Sequence, residues 1–278
     1  IKQEYYAMEG LLTGPGLALF AKTWNEGGDV SQWFIDGVPT IIADVDLTEV
    51  KEWTPIGTEE RPWTGEFNGN GKKLINFTSS KPLFGICDNA TIKNVVIDET
   101  SEFEYVGQFS DDLYLATLAT EIRNNTVVES CTNNGKVSLD AISNADNKSI
   151  FVAGLVAKVD ATSKLTRCSN IGAISVPSSC TITGSDTSCE IGGLVAHNLG
   201  IVEDGFNNGA IAAGAQALKS KVGGVVANNG EGAIVRNSQN AAAITFNTQK
   251  GAAGTYEAQV AGVIAFGRGE VYYNVNEG

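Results

Sequence analysis

The chain has 278 residues, 42% of them hydrophobic and only 18% charged, with 32 glycines, which excludes a disordered polymer and suits a fold of many tight turns. A formal net charge of -13 opposes binding to nucleic acid or an anionic membrane, since both require a positive patch. No run approaches the roughly 18 consecutive apolar residues of a membrane-spanning helix, and no charged-then-apolar leader is present.

At the N-terminal end, TGPGLALFAKTWNEGG places Pro15 near a helix start and Gly27 past a helix end. Leu17, Phe20, Ala21 and Trp24 fall at helical spacing between them, so a short amphipathic helix is expected. From Val38 to Phe77 the pattern turns strand-like: TIIADVDL and GKKLINF read as strands, with a tight turn at Asn68 to Gly71. Glu99 to Asp112 reads as acidic and irregular. LYLATLATEI then reads as about ten extra residues relative to later repeats, a short helix or an outward strand excursion.

Beyond this point the chain repeats. Asn133, Asn170, Asn207, Asn240 and Asn276 recur at intervals of 37, 37, 33 and 36 residues, each followed two positions on by Gly135, Gly172, Gly209, Ala242 or Gly278. Upstream of each later asparagine lies a strand of small and aliphatic residues: VAGLVAK around Gly154, EIGGLVAHN around Gly193, VGGVVAN around Gly224 and VAGVIAF around Gly262. A period of this size marks a repeat architecture in which each unit buries its apolar face by stacking on its neighbours. The expected fold is all-β, a β-solenoid with a short N-terminal capping helix. Residues 1–37 form the cap and 38–278 one continuous β-helix domain. The cap is needed because an open solenoid end exposes strand edges and core.

The five aligned asparagines should stack as an amide ladder along the axis, a structural role. Both faces of the Gly-Gly strands are apolar, so the outer face needs cover from the chain itself, another domain or a partner. The connections returning to these strands vary most in length, which places any contact edge on that side.

These motifs, in this order, resemble the GLUG repeat family. ADVDL at Ala43 to Leu47, WTPIG at Trp53 to Gly57, WTGEFNGNGKKLINF, PLFG at Pro82 to Gly85 and ATIKNVVID at Ala90 to Asp98 resemble the lead-in of the same proteins. The likeness covers roughly Leu17 to the C-terminus. It implies a right-handed parallel β-helix in a bacterial surface protein and implies no reaction. Some bacterial immunoglobulin A1 proteases carry the same repeats beside a protease domain with a zinc motif, and that motif does not occur here.

The residues that could carry chemistry are few. His197 is the one histidine, read as a loop residue, and no His-Glu-x-x-His, Gly-x-Ser-x-Gly, Walker or dinucleotide motif occurs. No metal site or cofactor is expected. Asp44 and Asp46 share a strand face, as paired carboxylates or a calcium site would, or as structural turns and caps. Trp33 and Trp63 are the ligand-stacking candidates, whereas Trp24 and Trp53 are assigned to cap and core. Of five cysteines, Cys131 and Cys168 occupy one repeat position and should stack reduced, and Cys180 and Cys189 flank a polar loop that a disulfide could close.

The reading is a noncatalytic extracellular or cell-surface module, adhesin-like, contacting a glycan or a host or partner protein. The chain begins at Ile1 without Met, and anchoring through a removed lipoprotein leader is expected. The alternatives are a polysaccharide-active β-helix enzyme or the non-protease repeat region of an immunoglobulin A1 protease-like protein. A groove gathering three or more carboxylates or basic residues would favour the enzyme, and a smooth flank the module. Oligomeric state is left open.

Overall fold

The computed structural model describes residues 10–143, 146–180, 182, 187–214, 219–247 and 257–278. The chain winds into a parallel β-solenoid. Each full turn crosses four sheets in the same order: a five-stranded sheet, a long sheet entered twice, an eight-stranded sheet and a six-stranded sheet. The five-stranded sheet comprises Leu113–Leu115, Ile150–Ala153, Ser188–Gly192, Lys219–Gly223 and Glu257–Ala261, one strand from each of five turns. Equivalent residues pair in parallel from turn to turn, as in Val156 with Val195, Val195 with Val226 and Val226 with Ile264.

The stacking follows from the small-residue strands. Leu155, Leu194 and Val225 lie inside at 0% exposure, and each aliphatic side chain sits on its copy in the next turn. Burying each one contributes about 1.5–3 kcal/mol, available only when the neighbouring turn is present. The asparagines form a continuous chain beside this core. Nδ2 of Asn133, Asn170, Asn207 and Asn240 donates to Oδ1 of the next asparagine at 2.8, 2.9, 2.8 and 2.9 Å. Each also closes its own turn, as Asn133 does by donating to Gly135 O at 2.8 Å and accepting from Gly135 N at 3.0 Å. A Cβ at Gly172 would stand 1.8 Å from Gly135 O, which is why glycine follows two residues after Asn170. A second ladder, unread in the sequence, joins Asn198 to Asn229 at 2.7 Å. Its signal is Asn198-Leu199-Gly200, the same Asn-x-Gly spacing.

The N-terminal end is closed by the helix Gly14–Asn25, whose Thr13 cap accepts from Gly16 N at 3.1 Å. Its buried Phe20 meets Trp33 and Trp63, each at 5.6 Å between ring centroids, and Phe67 at 6.0 Å. The first nine residues of the expected cap lie outside the described residues, and among those described no helix is long and apolar enough to cross a membrane.

Two expectations are corrected. LYLATLATEI is neither helix nor excursion: Leu113 and Leu115 pair with Ile150 and Val152, and Ala119 pairs with Val156, so it is the first regular copy of the Gly-Gly strand. Thr117 occupies the position of Gly154 and donates its hydroxyl to Gly154 O at 2.6 Å. The missing glycine concealed the repeat. Likewise, Glu102–Phe109 is a regular strand, paired along its length with Lys136–Ser143. The variable returning connections fall largely on residues 144–145, 181, 183–186, 215–218 and 248–256, outside the described residues.

Candidate functional site

Between the five-stranded and long sheets only two residues join the strands, as Gly193 and Leu194 do between Ser188–Gly192 and Val195–Asn198, and side chains seven apart, Glu190 and His197, meet across the bend; the outer faces of the two strands thus form the walls of a re-entrant corner. Ala116, Ala153, Ala157 and Ala196, nearly fully buried, make a small apolar cluster there, separate from the main core. The corner is how the second apolar face is covered: the two outer faces cover each other. Small residues are required because larger ones would hold the walls apart.

What fills the mouth of this corner changes from turn to turn. In the first two turns Tyr114 and Phe151 stack at 5.0 Å with a 7° interplanar angle. Burial, aided by the Asp112 and Glu121 charges, pushes the Tyr114 hydroxyl up to about 12, so it stays a neutral phenol. In the third turn the equivalent of Phe151 is Glu190, paired with it in register. Glu190 is 2% exposed and hydrogen-bonded four ways. Its Oε1 accepts from Ser188 Oγ at 3.0 Å, Lys221 Nζ at 2.8 Å and Asn228 Nδ2 at 2.7 Å, and Oε2 pairs with His197 Nδ1 at 2.7 Å. An ionised carboxylate only accepts, so Nδ1 of His197 carries the proton. Burial alone would raise the Glu190 carboxyl, but the hydrogen bonds and charges of His197 and Lys221 outweigh it and hold the group below its ordinary value.

His197 is therefore not a loop residue. It lies in the strand Val195–Asn198, its ring edge-on to Phe151 at 6.0 Å. Below it the corner widens into a 440 Å³ cavity lined by Lys219, Lys221, Asn228, Glu231, Phe266 and Arg268 among others. Lys221 Nζ and Arg268 Cζ lie 4.8 and 5.5 Å from the Phe266 ring centroid, within cation–π range. Asn228, 7% exposed, uses its N–H on Glu190 while its Oδ1 has no hydrogen-bond partner.

The groove thus gathers three basic side chains, Lys219, Lys221 and Arg268, so this flank is not smooth. None of its residues except His197 was singled out in the sequence. Lys221, His197, Asn228 and Phe266 occupy the columns flanking the Gly-Gly strand: Phe151, Glu190, Lys221 and Gln259 before it, Lys158, His197, Asn228 and Phe266 after it. Turn-to-turn variation in otherwise fixed strands was the available signal.

The other candidates lie elsewhere. Trp33 is 9% and Trp63 1% exposed, both packed around Phe20, so neither presents a ring face for a ligand. Asp46 Oδ1 accepts from Thr48 N at 2.9 Å and Thr48 Oγ1 at 2.6 Å and so holds a turn, while Asp44 Oδ1 accepts from Lys73 N at 2.8 Å and ties its strand to the neighbouring one. All five cysteines are buried free thiols, Cys180 and Cys189 included. Among the described residues no group of three or more His, Cys, Asp or Glu side chains is placed to hold a metal.

No protein-family model matches the chain, and no curated protein matches it. Among solved structures, it is similar to a Bacteroides ovatus protein provisionally named an immunoglobulin A1 protease, with a TM-score of 0.54 at 13% identity over 96% of this chain and 83% of that one. A chain named IgA1 protease matches with a TM-score of 0.50 at 14% identity, over 94% of this chain and 21% of that one. At these identities the likeness concerns the fold.

Proposed function

We propose that this chain is a noncatalytic β-helix module of GLUG-type repeats, displayed outside the cell and binding glycans or partner proteins through the groove flank. The carrying observation is that the one buried groove carboxylate, Glu190, is saturated by Ser188, His197, Lys221 and Asn228. A general acid or nucleophile needs a carboxylate free to meet the substrate, and Glu190 instead braces the two walls. The fold likeness to chains named as immunoglobulin A1 proteases supports the narrower reading of a repeat region from such a protein, the peptide-cleaving apparatus lying elsewhere. The three cations of the groove favour, as a second reading, an enzyme acting on a polysaccharide.

The test is incubation with immunoglobulin A1 followed by gel analysis, beside a glycan-array screen on the same preparation. Glycan binding with the immunoglobulin intact is the expected result. Cleavage that disappears in His197→Ala would overturn the noncatalytic reading.

A further inference from the structure

We infer that the cavity below His197 binds an acidic sugar residue, its carboxylate at Arg268 and its hydroxyls at Asn228 and His197. This deepens the binding-module reading and rests on it.

Charge comes first. The chain as a whole carries -13, yet the cavity lining gathers Lys219, Lys221 and Arg268 beside Glu231; Lys219 has partners of its own and Lys221 answers Glu190, which leaves Arg268 as the cation offered to a ligand. Glu190 lies behind the wall and is committed to His197 and Lys221, so its charge is largely answered internally. Arg268 forms no ion pair among the described residues and is held by its contact with the Phe266 face. A guanidinium so placed presents a planar fork of donors, the geometry that recognises a carboxylate with two parallel hydrogen bonds.

The second observation is independent of charge. Asn228 is nine-tenths buried, lines the cavity, and leaves Oδ1 without a donor. The amide is oriented by Nδ2 donating to Glu190 Oε1 at 2.7 Å, where a reversed oxygen would face the carboxylate, and this shorter contact outweighs the 3.2 Å approach of Nδ2 to His197 Nδ1. His197 Nε2 likewise makes no hydrogen bond among the described residues, since Nδ1 is the atom engaged by Glu190. Through Nε2 the ring offers a sugar hydroxyl, which can donate or accept, a second partner. The site therefore asks for hydroxyl donors deep and an anion at the rim. An amino acid meets this poorly, because its ammonium would enter beside Lys221 and Arg268. An acidic sugar carries both features on one ring.

Size agrees. The 440 Å³ volume lies within the roughly 300–1,000 Å³ of small-ligand sites.

The experiment is isothermal titration of the whole protein with digalacturonate, its methyl ester and a neutral digalactose. Digalacturonate should bind, with the ester and the neutral sugar at least about tenfold weaker. Arg268→Ala, at an exposed position, should weaken digalacturonate by about tenfold or more, with Arg268→Lys restoring part of it. Glu231→Gln should tighten binding about twofold by removing a like charge at the rim. Equal binding of acid and ester, or unchanged affinity in Arg268→Ala, would overturn the assignment. Absence of digalacturonate binding in a preparation positive on the glycan array would overturn this inference alone. Binding accompanied by formation of an unsaturated uronate product would keep the site but overturn the noncatalytic reading.

Discussion

The re-entrant corner shows one backbone with two fillings. In its first two turns Tyr114 and Phe151 close the mouth with stacked rings. In the next turns Glu190, Lys221, His197 and Asn228 brace the walls, and Phe266 and Arg268 border a cavity. Strand pairing continues unbroken from Phe151 to Glu190 to Lys221, so the change costs the fold nothing in register. Inward columns and the asparagine ladder fix the path of the chain, and the outward corner columns are free to vary. In a solenoid this separation lets one turn be structural and its neighbour functional.

The sharpest way to break the comparison is to add a Cβ where the later turns lack one. At Gly193 it would stand 1.9 Å from Gly224 O and 2.6 Å from Asn207 Cγ, whereas the first turn already carries Thr117 at this position. Gly193→Ala should cost about 3 kcal/mol or more in urea unfolding. Thr117→Gly, which loses a hydrogen bond and gains chain entropy in the unfolded state, should cost only about 1–2 kcal/mol. Equal effects would mean that the turns are not packed differently here.

Next in size is removal of the brace charge. Glu190→Gln keeps the shape but leaves Lys221, whose side chain is 14% exposed, without its carboxylate, and should cost about 2 kcal/mol near neutral pH. Because the folded Glu190 carboxyl lies below its ordinary value, the folded state releases this proton more readily than the unfolded chain does. Its contribution is fully present well above about pH 4.3, the ordinary carboxyl value, and is lost as pH falls through the lower folded value. Urea midpoints between neutral and acid pH should therefore converge for wild type and Glu190→Gln. A constant gap would show that the charge of Glu190 is not what stabilises the corner.

The smallest effect is expected from Phe151→Ala. The ring is half-buried between Tyr114 at 5.0 Å and His197 at 6.0 Å, so its loss should cost about 1 kcal/mol and lengthen the groove toward the first turn. A cost rivalling that of Gly193→Ala would place Phe151 in the core rather than at the mouth.

Much of this architecture was legible in the sequence because solenoid stacking turns spacing into contact. The recurrence of Asn133, Asn170, Asn207, Asn240 and Asn276 maps directly onto hydrogen bonds between successive turns. The capping helix was legible through Pro15, Gly27 and the apolar spacing between them. Thr117 hid a whole turn, since a hydroxyl hydrogen bond replaced the glycine that marks the others. The groove was less legible still. Periodicity identifies positions that repeat, and a ligand site in a repeat protein lies where they do not: Glu190 beneath Phe151, Lys221 beneath Glu190. Tryptophan composition pointed instead to Trp33 and Trp63, whose bulk the N-terminal core uses around Phe20.

The difference between the two fillings is tested most directly by nuclear magnetic resonance of the labelled protein titrated with digalacturonate. Saturable shifts are predicted at His197, Lys221, Asn228 and Arg268, with the Tyr114 and Phe151 signals unmoved. Shifts centred on Tyr114 and Phe151, or spread evenly along the solenoid, would contradict the claim that the corner is closed in its first turns and a ligand site in the later ones.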